Sequence, residues 1–314
     1  MKSFIITDKD AGQRTDRFIL KTFDNLPRSL MYKEIRKKNI KINKKRCTPD
    51  QILCKGDLLE LYLKDDALHI REKYYDFLKA SKELNIVYED ENIILLNKAV
   101  GVLCHPDGKD YTDNLVARLK RYLYEKGEWT PDESSFTPSL ANRIDRNTQG
   151  IVIGAKNLQA LKVLNEKIKS REIDKYYLAV VHGKMGKKNE TLTAYLTKNE
   201  RKNLVTVTDE PTESSKKIIT EYTVLDYYND ASLLEIHLLT GRTHQIRAHM
   251  AHIGHSLFGD GKYSNEHGRY RQALCSYKLT FNFKGDNFLS YLNHKTFQAE
   301  NIDLLEKFKE RKYI

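Results

Sequence analysis

No long uncharged apolar run occurs in this 314-residue chain, so no segment of it is suited to span a bilayer as a helix. A secretory signal peptide is not apparent either. The four cysteines, Cys47, Cys54, Cys104 and Cys275, are scattered and form no C-x-x-C pair, which argues against a structural zinc site and against a disulfide framework. These absences together lead us to expect a protein of the reducing cytoplasm. The glycines of Gly259-Asp260-Gly261-Lys262 have neither P-loop nor dinucleotide-binding spacing, so no nucleotide cofactor is expected. No internal repeat or low-complexity tract stands out.

What is present is an ordinary folded composition with a strong charge imbalance. Hydrophobic residues make up 40% and charged ones 31%, which excludes disorder on a large scale. The length suggests two domains. Against 54 Lys+Arg stand 43 Asp+Glu, a formal net charge of +11 that favours a polyanionic partner, nucleic acid first. An anionic membrane surface is the other option, but nothing would anchor the chain there. We expect a monomer with no membrane partner.

Residues 1–64 read as a compact unit. Arg14 to Leu20 begin a helical pattern, Pro27-Arg28-Ser29 can open a second helix containing Leu30 and Ile35, and the period then changes. Ile40 and Ile42 with the turn Lys41 to Lys44 suggest a strand and reversal, and Gly56-Asp57 precedes another strand through Leu58, Leu59, Leu61 and Leu63. A basic stripe crosses the second helix and the turn, including Arg36, Lys37, Lys38, Lys41 and Lys44. It is dense enough to neutralise several phosphates. Residues 65–81 are charged and mixed, and read as a linker that is partly helical.

The second unit, 82–314, opens with a hairpin of Ile86 to Tyr88 and Ile93 to Leu96 around Asp90-Glu91-Asn92. A helix follows near Leu115 to Tyr124. Leu158, Leu161, Leu164 and Ile168 recur at helical spacing on one side of a later helix, which should pack on a sheet. Lys175 to Val181 is rich in strand formers and brings either Tyr176 or Tyr177 toward a site; a tyrosine merely filling a strand face is the plainer alternative. Strands are expected at 218–225, 233–239 and 274–283, with an irregular basic region over 197–217 and a charged helix over 303–312.

Two stretches carry candidate chemistry. In Asn142-Arg143-Ile144-Asp145-Arg146-Asn147-Thr148-Gln149-Gly150, a single carboxylate stands among basic and amide side chains just before the apolar run Gly150 to Ala155, which is short enough for a buried strand. Asp145 would thus sit on a loop carried by a rigid strand. Beside Arg143 and Arg146 it should be ionised and able to act as nucleophile or general base. An aspartate that only caps a turn is the alternative. The other stretch is Thr240-Gly241-Arg242-Thr243-His244-Gln245-Ile246-Arg247-Ala248-His249-Met250. Ile246, Met250 and Ile253 at i, i+4 and i+7 predict a helix from near Thr243, with His244 and Arg247 together near its amino end, where a carboxylate or phosphate is favoured. His249, His252 and His255 lack an accompanying Cys or acidic ligand set, so they are read as histidines of a basic or capped helix and no metal is expected.

The order R-x-D-R-F, P-R-S, I-R, I-K-I-N-K-K and G-D in residues 14–57 resembles the small S-four type RNA-binding module first described in a ribosomal small-subunit protein. The likeness covers nearly all of the first unit. Glycines common in that module's central turn are replaced by Lys38 or Asn39 and by Lys44. In the second unit, residues 142–156 resemble the H-R-L-D-x-x-T-S-G motif of the RluA-type pseudouridine synthases. Four further matches follow the family's order. They are Tyr88-Glu89-Asp90 with Asn97-Lys98, the K-x-Y-x-A of Lys175 to Ala179, T-G-R-T-H-Q-I-R-A-H from Thr240 to His249, and G-H-S-L-F-G-D from Gly254 to Asp260.

The resemblance implies an α+β fold, with a mostly antiparallel, bent mixed sheet flanked by helices behind a small helix-rich RNA-binding domain. It implies isomerisation of uridine to pseudouridine in RNA, with ribosomal large-subunit RNA or its precursor as the expected substrate, without cofactor or metal. Asp145 matches the family's catalytic aspartate, Arg247 the arginine that pairs with it, and Tyr177 the tyrosine stacked on the target base. Arg143, Arg242 and His244 would contact RNA beside the extruded uridine, and Arg36, Lys37, Lys41 and Lys44 would grip it from the first unit. Asn142, Gln149 and Ala99 depart from the family's histidine, serine and proline. A noncatalytic RNA-binding or ribosome-assembly factor on the same fold is the alternative, and the two readings part at Asp145.

Overall fold

The computed structural model describes residues 1–8, 10–23, 25–63, 68, 75–107, 112–131, 136–199, 204–264 and 271–313. The first unit runs β1 (Lys2–Ile5), α1 (Thr15–Thr22), α2 (Arg28–Arg36), β2 (Ile40–Ile42), β3 (Lys45–Arg46) and β4 (Leu58–Leu61), with a four-stranded antiparallel sheet in the order β1-β4-β2-β3. Each helix buries one short stripe, Phe18 and Ile19 from α1 and Met31 and Ile35 from α2. These pack with Ile40, Ile42, Leu59 and Leu61 into a core of their own.

Two turns of this unit use lysine where glycine is the usual choice. The N–H of Lys38 donates to Ile35 O and that of Asn39 to Glu34 O, both at 3.0 Å. These are the two bonds that close a helix through a left-handed residue. Lys38 is that residue, at φ 63°, and Lys44 at φ 64° stands beside Asn43 at φ 52° in the β2–β3 turn. A two-residue hairpin needs both central residues left-handed to follow the strand twist.

The second unit contains β5 (Ile86–Glu89), β6 (Ile93–Lys98), α3 (Leu115–Glu125), β7 (Ser139–Leu140), β8 (Gln149–Ala155), α4 (Leu158–Lys169), β9 (Ile173–His182), β10 (Asn189–Asn199), β11 (Leu204–Thr208), β12 (Lys216–Tyr228), β13 (Ala231–Leu238), α5 (Gln245–His252), β14 (Leu274–Phe281), β15 (Thr296–Gln298) and α6 (Asp303–Lys309). One sheet runs β11-β10-β12-β13-β9-β14-β8-β6-β5, with β7 on β8 and β15 on β14. Among these pairs only β14 with β8 is parallel. This is the α+β architecture that the motif order implied.

The apolar runs of β6 and β8 are explained by helices on both faces. Ile93, Leu95, Ile151 and Ile153 meet Ala160 and Leu164 of α4, while Ile94, Leu96 and Val152 meet Leu115, Leu119 and Leu123 of α3. Farther along the sheet, Tyr177, Ala179 and Val181 of β9 face Ile246 and Met250 of α5. Leu178 and Val180 face Leu304 and Phe308 of α6. Asn114 and Asn157 cap α3 and α4, each accepting an N–H three residues on. Gly150, at φ 123°, lies where the parallel pair closes: a Cβ there would stand 2.2 Å from the backbone oxygen of Ser276.

One expectation is corrected. The described residues within 197–217 are not an irregular stretch. Most of the described part is strand, in an antiparallel hairpin of β10 and β11 that β12 continues. Lysines and threonines on the solvent side hide a period of two whose inward members are Ala194, Leu196, Val205 and Ile218. The expected linker falls largely outside the described residues, but its last part packs firmly. A short 3-10 helix, Asp76–Lys79, buries Phe77 against Tyr124 and Trp129, at ring centroid distances of 5.6 and 5.4 Å. Three rings in contact outweigh the charge of the surrounding chain.

Candidate active site

The Asp145 loop joins β7 to β8 and is pinned from beneath. The ammonium of Lys98, at the end of β6, donates to the carbonyls of Ala99, Val102 and Arg146 at 2.8 to 2.9 Å. The N–H of Gly101 also donates to Arg146 O at 2.9 Å. Lys98 is 1% exposed, and burial pulls its amine down to about 8. On the other side of the aspartate, the Cys104 thiol donates to the carbonyl of Ile144 at 3.4 Å. Ile144 itself packs between the α3 cluster and the α5 cluster. The carboxylate is therefore carried by a loop whose backbone is tied down on both sides of it.

Asp145, Tyr177 and Arg247 line one cavity of about 390 Å³. Nη1 of Arg247 donates to Oδ2 of Asp145 at 2.7 Å. The remaining fork of the guanidinium, Nε and Nη2, donates to both oxygens of Asp260 at 2.7 Å each. Asp260 is fully buried. Burial pushes its carboxyl up, but the Arg247 hydrogen bonds and charge, helped by the backbone N–H groups of Lys262 and Tyr263, hold it below the usual range. One cation thus serves two acids, of which only Asp145 opens to the cavity.

Arg143, Arg242 and His244 line the same cavity. Arg143 and Arg242 are exposed at its rim, whereas His244 is half-buried with Nε2 3.7 Å from Oδ2 of Asp145. His244 precedes α5 at φ 52°, a left-handed conformation uncommon outside glycine, though histidine enters it more readily than most side chains. Lys175 and Lys198 belong to the lining too, in which, among the described residues, Asp145 is the one acid among basic side chains. Tyr177 is buried at the cavity's base, with its hydroxyl pushed up to about 12 by burial. Its hydroxyl is hydrogen-bonded with Ser276, and at neutral pH the side chain is a phenol, not a phenolate.

Arg36, Lys37, Lys41 and Lys44 belong to the first unit and do not line this cavity. Arg36, Lys37 and Lys44 are exposed. Lys41 is half-buried, its ammonium 5.1 Å from the centre of the Tyr62 ring. The three spaced histidines turn to different partners: His249 to Thr220 Oγ1, His252 to Asp209, and His255 to the carbonyl of His182. Among the described residues no group of three or more His, Cys, Asp or Glu is placed to hold a metal ion.

Sequence reasoning gave no role to Lys98, Asp260 or Tyr263. The first two stand inside quoted motif matches, Asn97-Lys98 and G-H-S-L-F-G-D, which was the available signal. Tyr263 follows the last motif by three residues, and nothing local marks it. The three departures have structural partners. Asn142 Oδ1 accepts the N–H of Ile153 at 2.8 Å, and Gln149 ties β8 to the start of α6 through Asn301 O and the N–H of Asp303. Ala99 offers its carbonyl to Lys98.

Residues 92–252 match the family model described as RNA pseudouridylate synthase. A Mycoplasma genitalium protein described as an uncharacterized RNA pseudouridine synthase is 35% identical over 287 residues, 88% of each chain. Ribosomal large subunit pseudouridine synthase C of Haemophilus ducreyi is 32% identical over 268 residues, 84% of this chain and 79% of that one. Among solved structures, human RNA pseudouridylate synthase domain containing 4 shares the fold at a TM-score of 0.58 and 17% identity, over 72% of this chain and 92% of that one. A family model spanning half of the chain, and relatives a third identical over most of both lengths, identify this protein as a member of the RNA pseudouridylate synthase family, an enzyme that isomerises uridine in RNA.

Proposed function

We propose that the chain is an RluA-type enzyme that converts one or more uridines of large-subunit ribosomal RNA to pseudouridine, with Asp145 as the reacting carboxylate. The observation that carries this reading is the Asp145–Arg247 contact at 2.7 Å, in a cavity whose other charged lining, among the described residues, is basic. Such a cavity draws in a phosphate backbone and keeps one anion in reach of the sugar or base. The target in ribosomal RNA is supported by the name of the Haemophilus ducreyi relative.

In the reaction the bond from ribose C1′ to uracil N1 breaks, the base turns, and C1′ joins C5. The proton leaves C5 and N1 gains one, so the product is an isomer and no co-reactant is consumed. Asp145 attacks or deprotonates at the ribose or the base. Arg247 aims its carboxylate through a charge-assisted hydrogen bond. Tyr177 supports the flipped base with its ring. Arg143, Arg242 and His244 hold the RNA around the extruded nucleotide, whose unstacking they offset.

The first unit, 1–64, serves in this proposal as an S-four type RNA-binding domain, with Arg36, Lys37, Lys41 and Lys44 on phosphates. Its separate core supports treating it as a domain. The burial of Phe77 supports counting residues 75–81 with the catalytic domain instead of the linker. We place the enzyme in the cytoplasm as a monomer.

The test is carbodiimide mapping of total RNA from cells with and without the gene. A reverse-transcription stop should vanish on deletion and return with the intact protein but not with Asp145→Asn. Return of the stop with Asp145→Asn would remove Asp145 from the chemistry, and an unchanged set of stops in ribosomal RNA would remove the proposed target.

A further inference from the structure

One side chain of the cavity wall takes its orientation from outside the cavity. His244 lines the cavity and Tyr263 does not. The hydroxyl oxygen of Tyr263 accepts the backbone N–H of Val205 at 3.1 Å, and it lies 2.9 Å from Nδ1 of His244. The two rings meet edge to face, 5.7 Å between centroids at 76°. The Arg247 guanidinium sits 5.3 Å from the centre of the Tyr263 ring. The opposite imidazole nitrogen, Nε2, faces Asp145.

A neutral imidazole carries one proton, and the partner of one nitrogen decides which nitrogen holds it. Burial keeps His244 neutral by pulling its pKa down, with Arg247 and Lys262 acting in the same direction against Asp145. Burial likewise keeps Tyr263 a phenol. The Tyr263 oxygen already accepts from Val205. Among the described residues, Nδ1 of His244 is the acceptor in reach of its own proton. The O–H therefore donates to Nδ1, and the imidazole proton is left on Nε2, on the side of the aspartate.

We propose that Tyr263 is a positioning residue for the isomerisation, its hydroxyl fixing His244 as the Nε2–H tautomer so that the pocket presents an N–H donor beside the Asp145 carboxylate. The inference rests on Asp145 being the reacting group. A donor there suits a uridine oxygen lodged against the carboxylate, and it adds no second anion to the site. The left-handed backbone of His244 holds the ring at this angle, and α5 begins directly after it. Because the Tyr263 oxygen is held by Val205 of β11, the β10–β11 hairpin is part of the same positioning chain.

Tyr263→Phe keeps the ring beneath Arg247 and removes only the hydroxyl. In the full-length protein labelled with nitrogen-15 histidine, the His244 signals are those lost in His244→Gln. They should show the Nε2–H pattern in the wild type and a mixture of tautomers in Tyr263→Phe. The turnover number should fall roughly fivefold to tenfold, the worth of one net hydrogen bond, with RNA affinity unchanged. A glutamine at 244 carries its own N–H donor. Tyr263→Phe should then cost less than about twofold in a His244→Gln background. An Nδ1–H pattern in the wild type, read at the signals that His244→Gln removes and independent of how Tyr263→Phe folds, overturns the proposal. So does an equal loss of rate in both backgrounds. The tautomer spectrum needs no turnover, so a failure of Asp145 as the reacting group, read from Asp145→Asn, remains distinguishable from a failure of this inference.

Discussion

Both carboxylate oxygens of Asp260 accept from Arg247 at 2.7 Å, so the guanidinium that meets Asp145 is itself gripped from behind by a fully buried acid. The fork geometry of arginine makes this possible: two parallel donors bind one carboxylate side-on and leave a third nitrogen free for another. Asp260→Asn should therefore do more than weaken a contact. It strands a buried cation with half of its partners, a change that costs about 3 to 5 kcal/mol in comparable pairs. It also lets Arg247 rotate away from Asp145, with a loss of roughly a hundredfold in turnover number. Thermal melting and single-turnover kinetics check both effects, and wild-type values for the pair would show that Asp260 is dispensable.

Lys98 is expected to be an anchor of the loop. Its ammonium holds three carbonyls, and Lys98→Met leaves them without that donor, at about 1 kcal/mol or more for each that stays buried. The gain from no longer burying a charge offsets part of this. A net fall in melting temperature with a larger fall in rate is the expected outcome, because the carbonyl of Arg146, which keeps the Gly101 N–H but loses the ammonium, adjoins Asp145. A stability loss with unchanged kinetics would separate the anchor from the site.

His249 makes stability depend on pH. Burial holds its pKa down to about 4, and it hydrogen-bonds Thr220 in the interior. The folded value lies below the unfolded value of about 6.5, so the unfolded chain binds the extra proton in between. The contribution is therefore complete above about pH 6.5 and is lost as pH falls toward 4. Urea unfolding at about pH 7 and about pH 5 should differ by roughly 2 kcal/mol from this group. His249→Gln should lose that part of the difference, and an identical pH slope in the variant would contradict the assignment.

Lys38 carries a left-handed conformation that glycine adopts without strain. Lys38→Gly should stabilise the first unit by up to about 1 kcal/mol, since relief of the αL conformation exceeds the added entropy of the unfolded chain. Filter binding to ribosomal RNA over a salt series reports the other half of the position. A slope reduced by about one would make the Lys38 ammonium a phosphate contact. An unchanged slope would leave it a solvent-facing turn residue.

Much of the second unit was legible because its signals are local. An apolar run of strand length after Asp145 marked β8, and the spacing of Ile246 and Met250 marked the buried side of α5. The segment 197–217 was not legible. Its inward residues are small or separated by lysines and threonines, and the hairpin is held by pairing with β12 more than by its own propensity. Asp260 was illegible as a partner of Arg247 for another reason. An aspartate between two glycines reads as a turn former, and nothing in its neighbours tells that the loop is folded inward.

The amino-acid order by itself determined the class of fold, the family, the net basic charge, and three side chains, Asp145, Tyr177 and Arg247, that line one cavity. These rest on short-range patterns of polarity and on motifs that survive without knowledge of contacts. Only the tertiary structure decided that Arg247 is shared between Asp145 and Asp260, that Lys98 ties down the loop, and that Tyr263 reaches His244 from outside the cavity. Each of these depends on which groups lose water together. Hydrogen bonds and charges gain their strength from that shared burial, and burial is a property of the packed chain and not of any stretch of it.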